Sequence, residues 1–138
     1  MMPVHRILIG YNGTIQSEHT LELIAGINWQ YEVEIHLAFI VQEPSGMADP
    51  LPDEIMESLS IRGQETLSDA ARQVRKRFGN PILHLDAGDP NEKLLELAET
   101  LEPDLIVIGM TKHSSERILG SVSSNFIRSR KYPILLVP

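Results

Sequence analysis

Short apolar runs alternate along this chain with stretches in which apolar side chains recur every three or four positions. The runs have the length of buried strands, and the recurring stretches have the period of amphipathic helices. The first run, HRILIGY (5–11), ends at Asn12-Gly13. Such a pair often closes a hairpin, yet the next segment is helical. Leu21, Ile24 and Ile27 share a face with Leu23 beside them, and Ser17 is the expected N-cap. In 32–42, Val33, Ile35, Leu37 and Phe39 alternate, and Ala38 to Val41 are then apolar on both faces. A strand buried on both faces belongs to a parallel sheet. Residues 43–52 hold three prolines and a glycine and read as a loop. A long helix over 53–78 follows, carried by Ile55, Leu59, Leu67, Ala70, Val74 and Phe78. Gly63 costs this helix roughly 1 kcal/mol relative to alanine, and a kink or a division into two helices is expected there. The basic end RQVRKRF suits the helix dipole.

The second half repeats the pattern. A third strand is expected over 82–87, then a helix capped by Asp89 with Pro90 at its first position. Leu94, Leu95, Ala98 and Leu101 form its apolar face. PDLIVIGM (103–110) is almost wholly apolar and reads as a central strand. KHSSERIL reads as a loop with room for one helical turn. A last helix holds Val122 and Phe126, and YPILLVP (132–138) is a fifth strand. Every crossover carries a helix, so the sheet should be parallel with helices on both faces. Ligands of such sheets bind beyond the carboxyl ends of the strands, where the strand order reverses. The loops there are 10–16, 42–52 and 109–121.

Composition narrows the classes. The 138 residues suit one domain, and the formal charge of −7 argues against a general nucleic-acid partner. With no cysteine, disulfides, thiolate catalysis and cysteine-based metal sites are excluded. No apolar run approaches the roughly 20 residues of a membrane helix, and the amino terminus is too short in apolar residues for a signal peptide. A soluble, cytoplasmic protein without a membrane partner is expected.

The chemistry concentrates after the fourth strand. Gly109 follows a buried strand, and Gly120-Ser121 opens a helix whose N–H groups can take an anion. Ser121, Ser123 and Ser124 add hydroxyl donors. Between Lys112 and Lys131 stand five basic residues (Lys112, Arg117, Arg128, Arg130, Lys131) against one acid, Glu116. The other reading is a serine-capped helix with solvated charges. Of the five histidines none are paired at helical metal-ligand spacing. His36 and His84 fall on strands and read as structural, and only His113 lies in the site loop. A Gly-x-Ser-x-Gly elbow and a Walker loop are absent. GYNG lacks the paired acids of a phospho-receiver, and YNGTIQS matches a flavodoxin loop only weakly. No catalytic residue and no metal ligand is therefore assigned, and an enzyme is not expected.

The stretch DLIVIGM…ILGSVSSNFIRSRKYPILLVP resembles the carboxyl-terminal signature of the universal stress protein family: Gly, two residues, Gly, nine residues, Gly-Ser, a helix and an apolar strand. RILIGYNGTIQSEHTLELIA resembles the family's opening, and HLDAGDPNEKLLELAETLEPDLIVIGM its middle. The expected fold is then α/β: a Rossmann-like, doubly wound, five-stranded parallel sheet in order 3-2-1-4-5, spanning 1–138 as one domain. The resemblance implies a stress-response regulatory protein that binds ATP or another adenine nucleotide, with or without magnesium. It carries the site onto Gly10, Tyr11 and Asn12 after the first strand and Ile40 at the second. It adds Gly109, Met110, Lys112, His113, Gly120, Ser121, Val122 and Ser123. Two departures stand out. Asn12 occupies the usual aspartate position and brings no charge for magnesium. Gly109 to Gly120 spans eleven positions where the pattern needs thirteen, with Lys112 near the place of the missing glycine. A loop shortened in this way either blocks nucleotide, leaving a dimeric interaction protein, or holds it through Lys112 and His113. The resemblance also implies a homodimer through strand 132–138, whose apolar edge invites pairing.

Overall fold

The computed structural model describes residues 4–42, 51–110 and 121–138. The elements are β1 (Val4–Gly10), α1 (Ile15–Gly26), β2 (Glu32–Gln42), α2 (Asp53–Phe78), β3 (Ile82–Gly88), α3 (Pro90–Leu101), β4 (Leu105–Gly109), α4 (Ser121–Ser129) and β5 (Ile134–Val137). The sheet runs β3-β2-β1-β4-β5, and all four pairings are parallel. The fold is the doubly wound α/β arrangement that the alternating pattern predicts.

Period-two alternation divides the strands between two layers. Ile7, Ile9, Ile35, Leu37 and Val107 pack with Leu21 and Ile24 of α1 and Leu67 and Val74 of α2. Leu8, Ala38, Ile106 and Ile108 pack on the other face with Leu94 and Ala98 of α3 and Phe126 of α4. The order reverses between β1 and β4, which lie side by side with Gly10 opposite Ile108.

Several boundaries differ from the expectations. Thr14, not Ser17, caps α1: the Ser17 N–H donates to Thr14 Oγ1. Asn12 causes this, because its Oδ1 accepts from the Thr14 N–H at 3.1 Å and from the Thr14 hydroxyl at 2.7 Å. That local turn, with Gly13 at φ 79°, starts the helix early and buries Ser17. Leu23 is 44% exposed, leaving Leu21 and Ile24 as the inward pair. Helix α2 is continuous through Gly63. A Cβ there would stand 2.8 Å from Leu85 Cδ1 and 3.1 Å from Phe39 Cδ1, so this glycine lets α2 settle on β2 and β3 instead of bending it. Ile55, placed on the inner stripe by spacing, is 48% exposed. The last two strands are shorter than expected because proline has no N–H to extend a ladder. Pro103 stands outside β4, and Pro133 and Pro138 bracket β5.

A polar chain crosses three strands, from Arg6 and Glu34 near the amino ends of β1 and β2 to His84, which lies level with Ala38 and hence with Gly10. Arg6 Nε donates to Glu34 Oε1 at 2.9 Å, and His36 Nε2 donates to the same oxygen at 2.6 Å. His36 Nδ1 lies 2.8 Å from His84 Nε2. His36 is only 3% exposed. The two histidines read separately from sequence thus meet as a stacked pair. The hydrogen bond from His36, with those and the charge of Arg6, holds the Glu34 carboxyl below its ordinary range.

Candidate functional site

The carboxyl rim gathers Gly10, Asn12, Ile40 and Gly109 around the point where the strand order reverses. Gly10 faces the α3 layer. A Cβ on it would lie 3.6 Å from Leu94 Cδ1, an ordinary contact, so space remains above the end of β1. Ile40 stands on the same side of β2, half-buried against that layer.

Tyr11 belongs elsewhere. Its N–H donates to the Ala38 carbonyl at 2.8 Å, and its ring packs in the α1–α2 core. Burial, reinforced by the Glu18 charge, raises its phenol above the ordinary range. This side chain is part of the core. The Asn12 oxygen is engaged in the turn that starts α1, which leaves its Nδ2 group outside that turn.

Gly109 is required by packing. A Cβ there would stand 2.8 Å from the carbonyl carbon of Gln16 and 2.9 Å from its oxygen. The first turn of α1 therefore rests on the end of β4, which ties the loop after β1 to the loop after β4. The Met110 N–H is taken by the Val137 carbonyl at 2.7 Å, so this amide serves the sheet.

Ser121, Val122 and Ser123 open α4. Lys112, His113 and Gly120 lie outside the described residues, as does Arg117. The remaining basic residues of the sequence cluster sit at the far end of α4. From Ser121 to Arg130 is nine steps, or about 13 Å at 1.5 Å per residue. Lys131 pairs there with Glu99 of α3 at 3.5 Å. Among the described residues, the basic side chains of the sequence cluster therefore stand away from the helix start.

One residue went unremarked in the sequence. Asn91 lies in the first turn of α3, next to the Asp89 cap and three positions before Leu94. Its Oδ1 is buried, and among the described residues it accepts no hydrogen bond. A buried acceptor without a donor is costly, roughly 1–3 kcal/mol. The Asp-Pro-Asn sequence shows a cap but not the burial of this atom, which only the packed structure decides. Among the described residues no group of three or more histidine or acidic side chains is placed to hold a metal, and none of the described helices is long and apolar enough to cross a membrane.

The pattern of the universal stress protein family matches residues 3–138. A universal stress protein of Methanocaldococcus jannaschii is 29% identical over 138 residues, covering 96% of this chain and 81% of the relative. Among solved structures, a universal stress protein from Lactobacillus plantarum superposes with a TM-score of 0.82 at 18% identity, covering 97% of each chain. One from Archaeoglobus fulgidus, in complex with dAMP, superposes with a TM-score of 0.70 at 20% identity, covering 100% of each chain. A match across nearly the whole sequence, joined to the same five-stranded order, places the chain in the universal stress protein family.

Proposed function

We propose that this chain is a regulatory binding protein that takes an adenine mononucleotide at the rim between β1 and β4 and does not turn it over. The observation that carries this reading is the space above Gly10 beside the reversal of strand order, with the start of α4 as the anion-facing element. The dAMP held by the Archaeoglobus fulgidus relative supports the choice of ligand.

Magnesium does not fit the loop after β1. Asn12 carries no charge, and its oxygen is engaged by Thr14. Binding should therefore be independent of magnesium and should not require a triphosphate. Cytoplasmic residence and a homodimer joined along β5 complete the proposal. Leu135 and Leu136 are only half-buried on this edge strand, which supports pairing with a second copy.

The alternative is a dimer that holds no nucleotide. It is favoured by one fact: Met110 N–H is already bonded. Calorimetric titration with AMP, and with ATP with and without magnesium, separates the two. The nucleotide reading expects saturable AMP binding unchanged by magnesium. Absence of heat and of any melting shift at millimolar AMP refutes it, because a ligand of the native state must stabilise that state.

A further inference from the structure

The two edges of the sheet differ. β5 has four residues with a proline on either side, whereas β3 has seven, Ile82–Gly88, with neither proline nor lysine among them. None of the seven is buried, and the successive Ile82 and Leu83 are 45% and 43% exposed. Soluble proteins usually blunt an edge of this kind with lysine, proline or a very short strand. Among the described elements only β2 pairs with β3.

Register shows which backbone groups stand open. The Ala38 carbonyl accepts from the Tyr11 N–H and so faces β1, and the alternate residues Leu37, Phe39 and Val41 face β3. Their counterparts Leu83, Leu85 and Ala87 therefore turn their N–H and C=O groups outward. Asp86 Oδ1 takes the Ala87 N–H at 2.8 Å. Among the described residues the N–H groups of Leu83 and Leu85 have no such partner.

The strand is also complementary to itself. Turned antiparallel about a two-fold axis through Leu85, it sets Leu83 against Ala87 of a second copy and His84 against Asp86. Leu83 and Leu85 of both copies then form one apolar strip on the α2 face, since diagonal neighbours lie within reach. On the α3 face an imidazole meets each carboxylate. Centring the axis on Asp86 would oppose two carboxylates, and like charges directly opposite are destabilising. Centring it on His84 would set Ile82 against Asp86. We propose that the β3 edge is a self-association surface, pairing antiparallel with β3 of a second copy in the register centred on Leu85. One strand pair is small beside the roughly 1,200–2,000 Å² of stable interfaces, and Asp86 must release the Ala87 N–H. The association is therefore weak, appearing at the near-millimolar concentrations of NMR and not in dilute sedimentation. It depends neither on nucleotide binding nor on pairing at β5.

Amide NMR spectra over a dilution series test this, in a Leu136→Lys background that removes any pairing at β5. From micromolar to near-millimolar protein, concentration-dependent shifts are expected at Leu83, Leu85 and Ala87, with Val107 of the central β4 unmoved. Leu83→Lys, at an exposed position, should weaken the association at least about tenfold and leave melting cooperative. Ala87→Glu should weaken it likewise, and Ala87→Asp serves if the glutamate disrupts folding. Mixing the Leu83 and Ala87 variants should restore the shifts, because the new lysine of one copy then opposes the new carboxylate of the other. Absence of concentration-dependent shifts on β3 overturns the proposal. So do shifts that survive Leu83→Lys, or a mixture that fails to restore them, since restoration requires this register.

Discussion

Replacing Gly109 by alanine tests the contact that joins the two site loops. The added Cβ would stand 2.8 Å from the Gln16 carbonyl carbon, 2.9 Å from its oxygen and 3.0 Å from its Cβ. These are mostly backbone atoms of a capped helix turn, so relief requires α1 to move. Overpacking of this kind costs about 1–3 kcal/mol. Gly109 is not among the glycines at positive φ, so alanine brings no backbone penalty and even restricts the unfolded chain, worth about 0.4–1 kcal/mol in its favour. The clash wins. For 138 residues at about 2.1 cal/mol/K each, the unfolding entropy is near 0.3 kcal/mol/K. Net of that gain the cost is about 0.5–2.5 kcal/mol, and the expected fall in Tm is then about 2–9 °C, measured by circular dichroism. Gly10→Ala is the control, since its Cβ would meet Leu94 at an ordinary 3.6 Å. That variant should melt within about 3 °C of the parent and still lose AMP affinity, because it fills the proposed ligand space. If Gly109→Ala melts like the parent, α1 does not rest on β4 and the site geometry is wrong.

Other outcomes follow from the same contacts. Asn91→Ala should leave Tm unchanged or raise it slightly, since it removes a buried acceptor that lacks a donor among the described residues. A fall in Tm of several degrees by calorimetry would show that this oxygen has a donor after all. Burial, followed by the neighbouring His36, lowers the His84 pKa. The unfolded chain therefore binds the proton more readily, and stability should decline as pH falls below about 6.5 towards the depressed folded value. Denaturant melts of the parent and His84→Gln across that window should converge at low pH; a parallel offset would refute the assignment. Leu136→Lys on β5 should convert the proposed dimer to monomer in sedimentation, and an unchanged dimer would exclude pairing along this strand.

The sequence determined the elements and their layering. Strands such as ILIG and LIVIG are apolar on both faces, and only a parallel sheet covered by helices on both sides buries them. Asp89-Pro90 announced α3 for the same kind of reason: its capping chemistry is complete within three residues. Tertiary structure alone decided what those elements meet. Gly63 looked like a helix defect until β2 and β3 supplied Leu85 and Phe39 against it. Gly109 read from sequence only as a place of close backbone approach, and packing set Gln16 of α1 against its α-carbon. His36 and His84 are 48 residues apart and became one hydrogen-bonded pair only through strand register. The basic cluster around α4 was contiguous in sequence, but the helix carried three of its members to the end away from Ser121. Local pattern fixes a residue's face and cap, because neighbours along the chain supply the interacting groups. It does not fix a close approach between distant segments, because those atoms arrive only when the layers pack.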